Sequence, residues 1–260
     1  FFLYFIEKVK MNFDFRKSKF DFIYVSYFAP NLKGFKKKAS LEGKVYGYVN
    51  DLKGKRIKIE TDDGSRLIGN VDLSGLPDIN NTFAFIEFKE LSSSKSQLET
   101  FPLFPFDSGK KLELPKEFVG LGDITFKGDY TGFITDFVLY GKFYTDAGNL
   151  STDISLKQDS TKTYGKYSGQ VSSENLAINK IIRNDYVGRA SFSLRVDGDG
   201  YNPETMKAKI VGQVNYVDLN KNRFEIITLD GKYDNKVFDG CITSRDQKLD
   251  FDFNGIINLK

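Results

Sequence analysis

Glycines recur at short intervals inside stretches that alternate apolar and polar residues, most clearly between 120 and 156. Strict alternation places successive side chains on opposite sides of a β-strand. A glycine inside a strand weakens it and usually marks a bulge, a bend or a close approach of two backbones. Because the unit apolar-x-Gly-x-apolar returns along most of the chain, as at 126–130 and 229–233, we expect many similar strands bent at similar points.

The composition also favours strands, since the chain has 25 Phe and 14 Tyr residues together with many Val, Ile and Thr. We therefore expect an all-β, mainly antiparallel fold. In this expectation the strands form an elongated, curved and open groove of glycine-punctuated repeats, with one or two short helices. Alternation by itself would equally suit the core of a closed β-sandwich, and taken alone it favours that arrangement.

Turn residues and periodic rows predict where individual elements lie. We expect turns at 62–65, 197–200 and 219–222, and short helices at 91–98 and 175–184. Two of the predicted strand rows are Phe20/Phe22/Tyr24 and Phe133/Thr135/Phe137/Leu139.

A proline- and serine-rich stretch divides the chain into three predicted segments. Prolines remove ladder donors, so 101–106 cannot form a central strand. We expect an N-terminal strand array at 1–90, a connection at 91–117 and a second strand array at 118–260. The apolar start at 1–6 is too short to span a bilayer. It has no initiator Met and no basic leader, which indicates a piece of a longer chain.

The sequence lacks the residues that most catalytic sites need. It contains no His and a single Cys, so His-based triads, thiolate metal sites and internal disulfides are excluded. We predict that the protein is not an enzyme and uses no cofactor or metal. Asp197 and Asp199 could hold calcium, but a hairpin turn explains them better. Cys241 is expected to be a small buried residue.

The charge is nearly balanced, with a formal net charge of +3, and gives no case for nucleic-acid binding. The densest basic cluster is formed by Lys33, Lys36, Lys37 and Lys38. We expect a solvated turn there. Contact with anionic lipid headgroups is the alternative.

The stretch from 121 to 156 resembles a signature of the TamB translocation and assembly module family, in the AsmA-like superfamily. The likeness covers 119–259 and is looser over 20–118. Leu139 and Asp146 stand where the family has smaller or apolar residues. The segments that carry it are 121–128, 131–133, 136–141, Thr145, Gly148 and 152–154, followed by 167–171, 187–188, 196–200, 238–240, Asp246 and 253–255.

The resemblance implies a role that composition does not show. Proteins of this family are anchored in the inner membrane by an N-terminal helix and cross the periplasm. They form an open β-groove implicated in moving phospholipid to the outer membrane and in outer-membrane biogenesis. The expected partners are phospholipid acyl chains, an outer-membrane barrel protein of the TamA type and the rest of the same longer chain.

Together, the glycine repeat, the missing catalytic residues and the resemblance favour a groove over a sandwich. A lipid conduit is the first hypothesis, and a scaffold that binds client strands or partner proteins during outer-membrane protein assembly is the alternative. The residues expected to line the groove are Phe133, Phe137, Leu139, Leu150, Ile154, Leu156, Phe192, Leu194, Val196, Ile210, Val214, Phe224, Ile226, Leu249, Phe251 and Phe253.

Overall fold

In the computed structural model the protein is built mainly of β-strands. The structure describes residues 2–26, 36–101, 111, 113–114, 116–158, 165–200 and 204–258. Fourteen strands form one open antiparallel sheet in which strand order follows sequence order, as the all-β prediction requires. The first and last strands are its edges. The strands are β1 (Met11–Asp21), β2 (Lys38–Tyr48), β3 (Asp51–Thr61), β4 (Arg66–Ser74), β5 (Phe83–Ser94), β6 (Asp123–Phe133), β7 (Asp136–Thr145), β8 (Gly148–Gln158), β9 (Gly165–Ala177), β10 (Val187–Asp199), β11 (Lys207–Leu219), β12 (Asn222–Asp234), β13 (Val237–Asp246) and β14 (Leu249–Asn258).

Short helices lie between some of the strands. The helix expected within 175–184 is present, but the one expected at 91–98 begins only after β5 has run to Ser94. There Ser94 and Gln97 form a capping box, in which each side chain accepts a hydrogen bond from the backbone N–H of the other residue. The helices are α1 (Phe2–Lys8), α2 (Phe22–Val25), α3 (Lys95–Leu98) and α4 (Ile178–Ile182), with 3-10 turns at Ile79–Asn81 and Lys116–Leu121.

The predicted strand row through Phe20, Phe22 and Tyr24 is wrong after its first member. The strand β1 ends at Asp21, whose side chain accepts a hydrogen bond of 3.0 Å from the backbone N–H of Ile23. Such a bond caps the first turn of a helix. Phe22 and Tyr24 therefore belong to α2, because the local cap outweighs the alternation of the sequence.

The predicted row Phe133/Thr135/Phe137/Leu139 is also wrong, because a hairpin interrupts it. The strand β6 ends at Phe133, a two-residue turn occupies 134–135, and β7 begins at Asp136. Ile134 and Thr135 are not residues that usually mark turns, so this hairpin could not be predicted from turn propensity. Phe133 and Phe137 consequently lie in different strands.

The other predicted turns have mixed outcomes. The turns at 62–65 and 219–222 are present. Asn220 and Lys221 both have positive φ, at 48° and 65°, as the tight turn of a type I′ hairpin requires. The turn predicted at 197–200 is wrong, because β10 continues through Asp199 and places Asp197 opposite Lys209 of β11. Cross-strand pairs of opposite charge favour the extended ladder here over the local turn propensity of Asp and Gly.

The chain divides into two compact units. The first comprises Phe1–Leu114 with Asp123–Phe137, and the second Pro115–Gly122 with Val138–Lys260. Ser94 at the end of β5 pairs directly with Asp123 at the start of β6, so the strands on either side of the predicted connection are neighbours. The proline-rich part of that connection, 102–110, lies outside the described residues.

In the first unit, glycines alternate with large side chains across neighbouring strands. Gly69 stands directly between Ile57 and Phe88, which are only 4% and 9% exposed. A β-carbon on Gly69 would lie 2.0 Å from the carbonyl oxygen of Glu87. Only a residue without a side chain permits this backbone approach. The full row across six strands is Phe15, Gly43, Ile57, Gly69, Phe88 and Gly128.

In the second unit, too, glycines alternate with large side chains across neighbouring strands. Gly169 lies between Ile154 and Val196, with a φ of +155°, and a β-carbon there would lie 2.0 Å from the carbonyl oxygen of Asp153. Gly231 lies beneath the ring of Phe238, whose nearest carbons would be 2.4 Å from an added β-carbon. Covering a strand glycine with a neighbouring ring shields its backbone. The glycines of the predicted repeat thus lie where two backbones, or a backbone and a ring, meet closely.

Replacing Gly169 by Ala should destabilise the second unit, because the new β-carbon cannot fit against the carbonyl oxygen of Asp153. We expect the free energy of unfolding to fall by about 1–3 kcal/mol, the usual range for overpacking. Urea denaturation followed by circular dichroism measures it. Gly255→Ala is the control, since its nearest contact would be an ordinary 3.4 Å to Phe253. Equal losses in both variants would contradict the explanation.

Candidate functional site

The first unit has an apolar side, called here the first apolar face. Strand pairing aligns its side chains into rows that run across β1 to β6. Phe126 is its most buried member, at 2% exposure, and its ring lies 5.7 Å from that of Phe88. Two of the rows are Phe13, Val45, Gly54, Val71, Ile86 and Tyr130, and Leu41, Ile59, Leu67, Leu91 and Phe126.

Phe137 belongs to the first apolar face. Its ring stacks on that of Tyr130 with 4.8 Å between centroids, and burial raises the pKa of Tyr130 to about 12. Phe133 lies on the opposite side of the sheet, where its ring meets that of Phe83 at 5.4 Å. Gly132, which pairs with Ala84, comes directly before Phe133 in β6. Neighbouring residues of a strand point to opposite sides of the sheet. The structure therefore does not bring Phe133 and Phe137 together on one face, as the sequence predicted.

The second unit has a larger apolar side, called here the second apolar face. Outside register shifts in β10 between Val187 and Phe192, the pairing from β8 to β14 places one apolar row beside the next over seven strands. Small polar residues, such as Thr152 and Ser173, interrupt it at only a few positions. Two of its rows are Leu156, Tyr167, Gly198, Ala208, Tyr233, Phe238 and Ile257, and Thr152, Val171, Leu194, Gly212, Leu229, Ile242 and Phe253.

Most of the residues predicted to line a groove meet on this second face. The pairing and the alternation within each strand put twelve of them on it: Leu150, Ile154, Leu156, Phe192, Leu194, Val196, Ile210, Val214, Phe224, Leu249, Phe251 and Phe253.

Two other predicted lining residues need separate description. Leu139, in β7, is half-buried between the exposed side chains of Val138 and Tyr140. Ile226 stands opposite Asn215 in an unshifted register, since Glu225 pairs with Tyr216 and Ile227 with Val214. It has a φ of +55° and is 51% exposed. Ile227 therefore occupies the face position that the sequence had assigned to Ile226.

The second apolar face is not the interior of a filled core. None of the twelve predicted residues on it is fully buried, whereas the core of a sandwich would cover them. Accessible apolar surface thus extends over neighbouring strands. Of the twelve residues only Leu249 is exposed, at 37%, and the others are half-buried.

The opposite side of the second unit is largely polar. Asp153, Arg195, Gln213 and Asp252 alternate with the apolar residues of their strands, as predicted. Cys241 also lies there, opposite Asp230, and is exposed. The expectation that it is buried is wrong, because its neighbour Ile242 takes the apolar side.

Two hollows lie on the side of the strands opposite the apolar faces. One, of about 580 Å³, lies across β8 to β12 in the second unit, and another, of about 570 Å³, lies across β1 to β3 in the first unit. We call them the lysine hollow and the balanced hollow. The lysine hollow takes its name from Lys157, Lys166, Lys207, Lys209 and Lys232, and the balanced hollow has Lys17, Lys19 and Lys38 with Asp21, Glu60 and Asp62.

Among the described residues, no helix combines the length and the apolar character that spanning a bilayer demands. No group of three or more metal-binding side chains is assembled within the same residues.

Comparison with known proteins found no matching family model, curated protein or solved structure.

One lysine of the predicted basic turn, Lys37, has a different environment from the one expected, whereas Lys36 and Lys38 are exposed. Lys37 is only 8% exposed, forms an ion pair with Asp63, and lies 4.2 Å from the centre of the Phe101 ring. Lys38 lies in β2, and Lys33 is outside the described residues. The buried pair joins the segment before β2 to the turn between β3 and β4, so Lys37 is neither solvated nor available to a lipid headgroup.

Asp63 holds this junction together. Burial raises the pKa of its carboxyl, but hydrogen bonds from Lys37, Thr61, the backbone of Ser65 and Thr100 outweigh that and hold the pKa well below its usual range. A carboxyl with a lowered pKa in the folded state stabilises the fold above its unfolded pKa. This stabilisation is lost as the pH falls toward the folded-state value.

Asp63→Asn should lower the free energy of unfolding at pH 7 by about 2 kcal/mol, because it leaves the buried Lys37 ammonium without its countercharge. The variant should also lose less stability than the wild type between pH 5 and pH 3. Urea denaturation across this range measures both effects. Asp62→Asn is the control, since Asp62 is exposed and its side chain makes no hydrogen bond among the described residues. An acid response unchanged by Asp63→Asn would refute the assignment.

Proposed function

We propose that the protein holds phospholipid acyl chains on the apolar side of its open sheet. In this proposal it is one section of a longer, inner-membrane-anchored protein that conducts phospholipid across the periplasm and supports outer-membrane biogenesis. The observation that carries the proposal is the second apolar face, where rows of apolar side chains cross seven neighbouring strands without being fully buried. The resemblance to the TamB family supplies the cellular setting.

The free energy of hydrating a lipid explains why such a face is useful. Each acyl CH₂ group exposed to water costs about 0.8 kcal/mol, so two chains carried bare would cost roughly 20 kcal/mol. An accessible apolar surface removes part of that cost. Because Leu194, Leu229 and Phe253 lie in one row on different strands, a chain moving across the strands keeps similar contacts. Because the contacts are similar at successive positions, no single position binds the acyl chain much more tightly than the others.

The two sides of the sheet suit an amphipathic ligand. Apolar side chains on one side contact hydrocarbon, while the charged residues of the other side keep the sheet hydrated. The twelve residues are not fully buried, which leaves part of their surface available. The lipid headgroup stays in water at the margin of the face.

Lipid bound during expression is the direct test. The protein is purified from a bacterial host, extracted with organic solvent and analysed by mass spectrometry. We expect phospholipid to be recovered with the protein. If no phospholipid is recovered, either from the protein as purified or from delipidated protein that has then been incubated with phospholipid, the proposal is contradicted.

A charge placed on the second apolar face should weaken lipid binding. For Ile154→Arg and Phe253→Arg we expect the affinity for a fluorescent phospholipid to fall about tenfold or more, because a guanidinium is poorly solvated against hydrocarbon. Asn254→Arg is the matched control, since residue 254 lies next to Phe253 but on the polar side. Equal affinity in all three variants would exclude the second apolar face as the binding surface.

The edge strand β14 favours a second candidate function, the capture of client strands. It is the last strand of the sheet, and Ile256 on it is 69% exposed. An open edge can accept an added strand through backbone hydrogen bonds. If unfolded outer-membrane strands bound to lipid-free protein and Ile256→Lys abolished this, while Phe253→Arg changed no lipid binding, the scaffold function would replace the conduit.

A further inference from the structure

The polar side of the second unit has a patch on β7 to β11 where exposed tyrosines lie beside hydrogen-bonding side chains. Strand register arranges the hydrogen-bonding residues in two adjacent rows. We call these rows, together with Tyr140 and Tyr144 of β7, the tyrosine patch. The first row is Ser151, Ser172, Ser193 and Gln213, and the second row is Asp153, Gln170 and Arg195.

The two tyrosines border the rows on the side of β7. Tyr140 is 60% exposed and Tyr144 is 39% exposed. A two-residue turn at 146–147 joins β7 to β8, so even-numbered residues of β7 share a side with odd-numbered residues of β8, including Ser151 and Asp153. A tyrosine ring has an apolar body and a polar hydroxyl, which suits it to a ligand with both characters.

The charges of the tyrosine patch nearly balance. Asp153 and Arg195 stand on either side of Gln170, and Lys142 lies between the two tyrosines in β7. Neither Asp153 nor Arg195 forms an ion pair with another described residue. A highly charged ligand is therefore not indicated. A carboxylate and a guanidinium can, however, each form two hydrogen bonds with neighbouring groups of one ligand.

Several hydrogen-bonding groups of the patch are unused by the protein. Gln170 donates a hydrogen bond of 2.9 Å to the hydroxyl of Ser193. The side chains of Ser151, Ser172 and Gln213 form no hydrogen bond with any other described residue. None of the three is buried, so water satisfies them. A ligand with many hydroxyl groups can take the place of that water without losing hydrogen bonds.

We infer that the tyrosine patch binds a neutral glycan chain. A pyranose ring has apolar C–H faces that stack on aromatic rings, and hydroxyls at its edge that bond to amides, carboxylates, guanidinium groups and other hydroxyls. The patch offers both kinds of contact side by side. A protein interface has an apolar, closely packed centre, which the two rows do not provide. The site lies on the polar side of the sheet and is independent of the acyl-chain proposal.

The spacing of the strands favours one form of glycan. Neighbouring strands are about 4.8 Å apart, so the first row is about 14 Å long from β8 to β11. This spacing is close to the length of one pyranose unit, and a chain laid along the row meets a new strand with each sugar. A β-1,4-linked chain is extended and follows such a row, whereas an α-1,4-linked chain curls away from it.

Isothermal titration calorimetry with the whole chain tests the inference, using cellohexaose as the probe. We expect saturable binding that changes little as salt is added, because the ligand is uncharged. Maltohexaose has the same composition with α-1,4 linkages and should bind at least about tenfold more weakly. Tyr140→Ala should lower the affinity for cellohexaose about tenfold, whereas Tyr140→Phe keeps the ring and should retain most of the affinity.

A pair of double variants tests the rows. Ser172→Ala/Gln213→Ala removes two hydrogen-bonding groups of the first row and should weaken binding about tenfold. Ser155→Ala/Ser168→Ala is the matched control, since these opposed serines lie on the same side of β8 and β9 but in a different row, beside Asp197. Its affinity should equal that of the wild type. Urea denaturation checks that every variant is folded.

Chitohexaose, whose β-1,4-linked units carry acetamido groups, is titrated in parallel. Binding of chitohexaose alone would support a neutral glycan and identify its substituent, and the variants would then be compared with that probe. A wild-type protein that binds neither hexasaccharide would overturn the inference. So would equal affinity for cellohexaose and maltohexaose, or an equal loss of affinity in the two double variants.

Discussion

The close approach of neighbouring backbones at strand glycines is the contact on which the sheet depends. At Gly69 and Gly169 a single β-carbon would collide with a carbonyl oxygen of the next strand. The space that these glycines leave is occupied by large neighbours such as Phe88 and Val196. Alternation of glycine with bulky residues lets a sheet bend while its side chains remain packed. The repeated glycines thus allow neighbouring strands to pack closely, and they do more than form turns.

Side chains pack mainly against those of neighbouring strands in the same sheet. This packing leaves the apolar sides partly accessible. Rings meet rings of neighbouring strands, as Phe88 meets Phe126 and Tyr130 meets Phe137. Phe126 becomes fully buried in this way, but the twelve predicted residues of the second apolar face do not. The apolar side offers hydrocarbon contacts, and the polar side offers charge. The second unit therefore presents two chemically different surfaces.

The sequence predicted strands better than it predicted their ends and faces. Alternation placed Ile154, Val196 and Phe253 on one side correctly, because their strands have no irregularity between them. It failed at Phe133, where an unmarked hairpin separates two strands, and at Ile226, where the backbone has a φ of +55° and Ile227 is the residue that pairs with Val214. A shift of one position moves a side chain to the other side of a sheet, so small local events decide the face.

The sequence alone determined the class of fold, since period-two alternation with repeated glycine is compatible with little except a many-stranded sheet. It also determined that one side of most strands is apolar. Only the tertiary structure decided which residues share a face, because that depends on register between strands far apart in sequence. The lysine hollow illustrates the difference. Lys209 and Lys232 are ordinary surface charges in the sequence, and their direct opposition exists only once β11 and β12 are paired.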